Sequence, residues 1–192
     1  GQVVAPVGLI LSSVGAGMFV VALRLFEPAS KSVHRIPIGY LRYHWYVRLG
    51  FSWLLLGCVM LILIALDEIG LTNMVAVQVS LPVIHVLTLG FVTNLIFGAA
   101  SRFIPIFEGA DIRYPHLMNV AFVLLTISIV IRLAFGFSIS EIGERALGIS
   151  GASGFIGIIL FSIMIFQVMT QSARDAYSKR VAAIGRVKLE MN

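Results

Sequence analysis

Acidic side chains are scarce in this sequence, nine Asp and Glu against fourteen Lys and Arg in 192 residues. Charged residues of both signs make up only 12% and hydrophobic residues 59%, which excludes a domain wetted on all sides. A single cysteine, Cys58, excludes an internal disulfide framework. It falls within an apolar run, where a small buried side chain is its ordinary role. No Pro/Ser-rich or charged linker divides the chain, and no internal repeat is evident, so one domain is expected. No basic stretch precedes the first apolar run, which instead ends in Arg24. That is the reverse of a secretory signal, and the run is read as a helix that stays.

Long apolar runs are what the sequence has in abundance. Its mean hydropathy is +1.00. A bilayer core of about 30 Å needs about 20 mostly apolar helical residues. Five runs qualify, at residues 4–21, 49–66, 75–100, 117–137 and 146–170. The predicted fold class is therefore all-α, a polytopic membrane helix bundle over residues 1–170. Arg24, Lys31, Arg35, Arg42 and Arg48 surround the first loop, Arg102 and Arg113 the third, and Arg174, Lys179, Arg180, Arg186 and Lys188 the tail. The remaining loops carry Asp67, Glu68, Glu141 and Glu144 beside one basic residue, Arg145. Basic loops stay cytoplasmic, which places the N-terminus outside and the C-terminus inside, as in the inner membrane of a prokaryotic cell.

The net charge of +5 is then a topology signal, and nucleic acid is not an expected partner. The expected surroundings are the lipid bilayer and other membrane subunits or a second copy. The tail at 171–192 mixes basic residues with Val181, Ile184, Val187 and Leu189. It reads as an interfacial helix on an anionic leaflet or as a solvated tail.

Polar residues inside lipid must face protein, cofactor or water. The third run holds the most, including Gln78, Ser80, His85, Thr88, Thr93, Asn94 and Ser101. On a uniform helix His85 and Asn94 point to opposite sides, so this helix is expected at the centre of the bundle. His85, about ten residues in, is expected near mid-membrane as a hydrogen-bonded imidazole or as a ligand to haem iron or copper. Arg132 is expected about one and a half turns nearer the outer surface. There it snorkels, pairs with Asp67 or Glu68, or holds a haem propionate through its guanidinium fork. His34, His44 and His116 lie on the inner side. His44 and His116 start the second and fourth runs at similar depth and are candidate ligands of a second site. Met60 and Cys58 are the candidate partners for His85 within the chain. Gly148, Gly151, Gly154 and Gly157 recur at every third position, a groove for helix packing or for a flat macrocycle. Gly8, Ser12, Ser13, Gly15 and Gly17 form a similar seam, read as packing.

Two segments, YVRLGFSWLLLGCVMLILIAL from Tyr46 and VSLPVIHVLTLGFVTNLIFGAASR from Val79, resemble part of the C-terminal half of the NnrS family. These are haem- and copper-containing membrane proteins linked to nitric oxide metabolism. Leu49, Gly50, Phe51, Trp53, Leu56 and Gly57 fit the family's first helix pattern, and His85, Thr88, Gly90 and Arg102 its second. The family's helix runs on into Gly-His-Thr-Gly, where this chain has Ile106-Phe107-Glu108-Gly109, without the His. The resemblance implies haem, of b type, with His85, Gly90 and Arg102 as cofactor residues, and leaves copper without that His.

The leading expectation is a haem-binding membrane protein acting in nitric oxide response or as an electron-transfer subunit, an oxidoreductase if it is an enzyme. The alternatives are a cofactor-free anchor that packs through its glycine seams, and a small transporter. A charged pathway and an inverted repeat, the marks of the last, are not evident. Nor does any Ser-His-Asp or paired-carboxylate arrangement fall at one depth, which sets hydrolysis aside.

Overall fold

The computed structural model describes residues 4–26, 43–71, 76–109, 112, 114–136 and 140–190, with side chains except at 43, 76–80 and 172–190. Lys31, His34, Arg35, Arg42 and Arg113, and the side chains of Gln78, Ser80 and the basic tail, lie outside the described residues.

Every regular element among the described residues is helical: α1 (Val4–Ala22), α2 (Tyr43–Glu68), α3 (Ala76–His85), a π-helical segment (Val86–Val92), α4 (Thr93–Glu108), α5 (Pro115–Phe135) and α6 (Glu141–Glu190). Five stretches are long and apolar enough to cross a membrane: Val4–Ala22, His44–Glu68, Leu81–Glu108, Pro115–Phe135 and Glu141–Gln171. The protein is an all-α membrane helix bundle. Its third span reaches past the expected end at residue 100, because the helix absorbs Arg102 and Pro105 before Gly109 stops it at φ 59°. α6 runs unbroken for 50 residues, about 75 Å, so its second half continues well beyond a bilayer core of about 30 Å.

α1 packs on α2, α2 on α3, the π segment and α4, and α5 on α6, which also meets α4. One buried cluster joins Tyr46, Phe97, Met118, Leu125, Phe161 and Met164, with the Phe97 and Phe161 rings stacked at 3.6 Å. A second joins Met60, Val83, Val86 and Ile129. Apolar burial drives helices together only weakly in lipid, so close contact and hydrogen bonding have to supply the specificity. Tyr46 donates its hydroxyl to the Met118 carbonyl at 2.6 Å, tying α2 to α5. Between α5 and α6, Ser128 Oγ donates to the Ser150 carbonyl and Ser150 Oγ to the Ser128 carbonyl, each at 2.8 Å.

Glycine makes that approach possible. A Cβ on Gly154 would stand 2.8 Å from Ser128 Oγ, and one on Gly157 would stand 3.1 Å from the Ala121 carbonyl oxygen. The α6 seam is thus filled by α5 at Gly154 and Gly157, while a Cβ on Gly148 would meet nothing within 4 Å. The α1 seam differs from expectation. α1 buries Pro6, Ser13 and Val20, and a Cβ on Gly8, Gly15 or Gly17 would meet nothing within 4 Å. Residues seven apart set its inward stripe, and the glycines fall outside it. Replacing Ser128 or Ser150 with Ala is expected to cost about 1 kcal/mol in reversible unfolding from mixed micelles. The double variant should cost less than the sum, because the two bonds share one contact.

The π segment overturns a second expectation. A π turn takes up one more residue than an α turn, which swings the following residues by roughly 100° relative to a uniform helix. His85 and Asn94 therefore do not lie on opposite sides. Three donors supply the carbonyls of the widened turns. Thr93 N–H and Thr93 Oγ1 both donate to the Thr88 carbonyl, the latter at 3.0 Å, and Asn94 Nδ2 donates to the Gly90 carbonyl at 2.7 Å.

Candidate functional site

Pro82 sits inside α3, where it has no N–H to give and its ring keeps the helix from closing normally. The C-terminal end of α5 comes against it at Gly136, where a Cβ would stand 2.9 Å from Pro82 Cγ. Between these two irregular points lies a partly open cavity of about 90 Å³, lined by Leu81, Pro82, His85, Arg132, Gly136 and Leu147. His85 and Arg132, chosen separately from the sequence, are here brought together. Both line the cavity beside the last turn of α5. Neither Pro82 nor Gly136 was expected to shape a site; a proline three residues before a membrane histidine was the available signal.

His85 Nδ1 lies 2.8 Å from the Leu81 carbonyl oxygen. A carbonyl only accepts, so Nδ1 carries the proton and the neutral ring keeps its lone pair at Nε2. This is the arrangement that metal-bound histidines use, one nitrogen fixed by a backbone acceptor and the other free to coordinate. Arg132 Nε is buried without a hydrogen-bond partner, and the guanidinium passes above Gly151, where a Cβ would lie 3.6 Å from Nη2. Among the described residues Arg132 forms no ion pair, with Asp67, Glu68 or any other carboxylate. Glu141 pairs instead with Arg145 at 2.6 Å on the exposed side of α6. A partly buried guanidinium at the end of a membrane span can snorkel to the interface or receive an anionic ligand group.

The donor set suits haem: a fixed imidazole for iron and a guanidinium for a propionate. The enclosed volume does not hold a macrocycle, being well below the roughly 300 Å³ at which pockets begin to bury whole cofactors.

The other candidates are placed elsewhere. Arg102 is 17 residues along the helix from His85, about 25 Å, and acts with Arg48 on His44 at the opposite end of the bundle. Gly90 is buried against Trp53, with room for no cofactor edge, since a Cβ there would stand 2.8 Å from Trp53 Cγ. Met60 is buried among Val83, Val86 and Ile129, and neither it nor Cys58 lines the cavity. His44 and His116 are both exposed, two residues ahead of the bonded pair Tyr46 and Met118. No cluster of three His, Cys, Asp or Glu able to hold a metal occurs among the described residues.

Residues 2–170 match a family described as a domain of unknown function, DUF8744. No curated protein and no solved structure matches the chain.

Proposed function

The chain belongs to the DUF8744 family, and we propose that it is a haem-binding subunit of the inner membrane, in which His85 would hold the iron and Arg132 a propionate. One observation carries this reading: the Leu81 carbonyl holds His85 in the tautomer that turns its Nε2 lone pair to ligand, in a cavity shared with an uncompensated guanidinium. Haem there would supply one-electron transfer and binding of small ligands such as nitric oxide. The chain's own residues fix the imidazole, neutralise a carboxylate and, through Leu81, Pro82 and Leu147, keep the site apolar. So small and partly open a cavity supports a site that another membrane subunit or a second copy would complete. Copper has less behind it, since the described residues offer no second histidine beside His85.

An ultraviolet–visible spectrum with metal analysis of the full chain, purified from haem-replete cells, tests the reading. A Soret band with matching iron is expected; a colourless, metal-free protein ends it. Arg132→Met is expected to act in opposite directions on stability and binding. Without haem it should raise stability by about 1–3 kcal/mol, by removing an unpaired charge from lipid. The same variant should release haem at least tenfold more readily on dialysis, by losing the carboxylate's partner.

A further inference from the structure

We propose that Asn94 is a positioning residue for His85, holding the π segment in the register that turns the imidazole toward Arg132. Asn94 is fully buried, and it touches neither the cavity nor His85. Its amide spans the end of the π segment, with Nδ2 donating to the Gly90 carbonyl at 2.7 Å and the Leu89 carbonyl at 3.3 Å, four and five residues back. Where backbone bonding steps from five residues back in the π segment to four back in the following α-helix, one carbonyl loses its backbone donor at the junction. A side-chain amide with two protons reaches the carbonyls on both sides of that step.

The register matters because His85 is the residue from which the π segment starts. Downstream of it, Gly90 is fixed against Trp53, and Asn94 Cβ stands 3.4 Å from the place a Cβ would take on Gly50, so α2 clamps that part of the helix. If the segment closed to α geometry, the helix on its two sides would have to turn relative to one another by roughly 100°, against the packing of α3 on α2 and α5 as well as that of Gly90 and Asn94 on α2. His85 would then leave the cavity it shares with Arg132. A polar residue at the centre of a membrane bundle, with its Oδ1 still unpartnered, thus has a task that packing alone does not give it.

The functional meaning rests on the ligand role proposed for His85, and the geometry can be tested apart from it. In a full chain carrying Cys58→Ser, His85→Cys and Arg132→Cys, a membrane-permeant bifunctional maleimide reports whether the two positions face one cavity. Adding Asn94→Leu is expected to cut the cross-link yield at least tenfold. Ser101→Ala, which removes a hydroxyl bonded to the Gly98 carbonyl on the same helix beyond the π segment, should leave it unchanged. Equal yields with and without Asn94→Leu overturn the proposal. Should Asn94→Leu give no folded chain, Asn94→Ser and Asn94→Ala decide. Serine still reaches the carbonyl four back and should keep about half the yield, while alanine should lose at least fivefold; equal yields again overturn it. In the chain that retains His85, the haem spectrum separates the two claims. A cross-link lost in Asn94→Leu beside a spectrum unmoved by His85→Ala would reject haem ligation and keep the positioning role. A cross-link kept, beside a spectrum abolished by His85→Ala, would do the reverse.

Discussion

His85→Ala is expected to abolish the Soret band while the chain still folds. The imidazole contributes one hydrogen bond to the bundle, from Nδ1 to a carbonyl of its own helix, and it is only half-buried. Losing it should cost about 1 kcal/mol of stability. The loss at iron is of another order, because the described residues around the cavity offer no other nitrogen or sulfur ligand to take its place. His85→Met would keep a ligand of different hardness and should shift the band rather than remove it. Loss of the band in His85→Ala, with an unfolding midpoint lowered by only about 2–4 °C, is the expected result. An unmoved band would transfer the iron to another residue and sink the proposed site.

Gly90→Ala should act the other way, lowering stability and leaving the spectrum of the surviving folded protein as it was. The added methyl would stand 2.8 Å from Trp53 Cγ and 2.9 Å from Trp53 Cβ. An atom so close to the backbone of α2 yields only if the helix itself moves. Overpacking of this kind costs about 1–3 kcal/mol, or roughly 5 °C in the thermal midpoint of a chain this size. Pairing it with Trp53→Ala should recover most of that increment, a coupling that marks the glycine as a packing residue. A normal melt with a lost Soret band would instead support the cofactor role that the NnrS resemblance implies for Gly90.

Much of the fold could be read from composition because lipid leaves few choices. Apolar runs of about 20 residues must be helices, and Leu49 through Leu66 had no other use. Boundaries were less legible. The third span absorbs Arg102 and Pro105 near its end, and neither residue forbids a helix there. His85 and Arg132 could be chosen from their chemistry alone, since ionisable groups in lipid need a reason. Their meeting in one cavity could not, because it depends on the π segment. Nothing in Val86–Val92 looks different from an α-helix by apolar periodicity. The signals lie in Thr93 and Asn94, whose donors reach back five residues, and in the glycine that admits Trp53. The α6 glycines were legible as a seam and α1's were misleading, for a glycine row shows where a helix could approach and not whether one does.

α6 carries Leu147 at the cavity and, with no break, extends to Glu190. A continuous helix transmits tilt in proportion to its length. Over the roughly 65 Å between those residues, a tilt of about 5° at the cavity displaces the far end by roughly 6 Å. A ligand that tilted α6 at the cavity would in this way be felt at the far end of the helix, through a single rod that needs no relay of side chains.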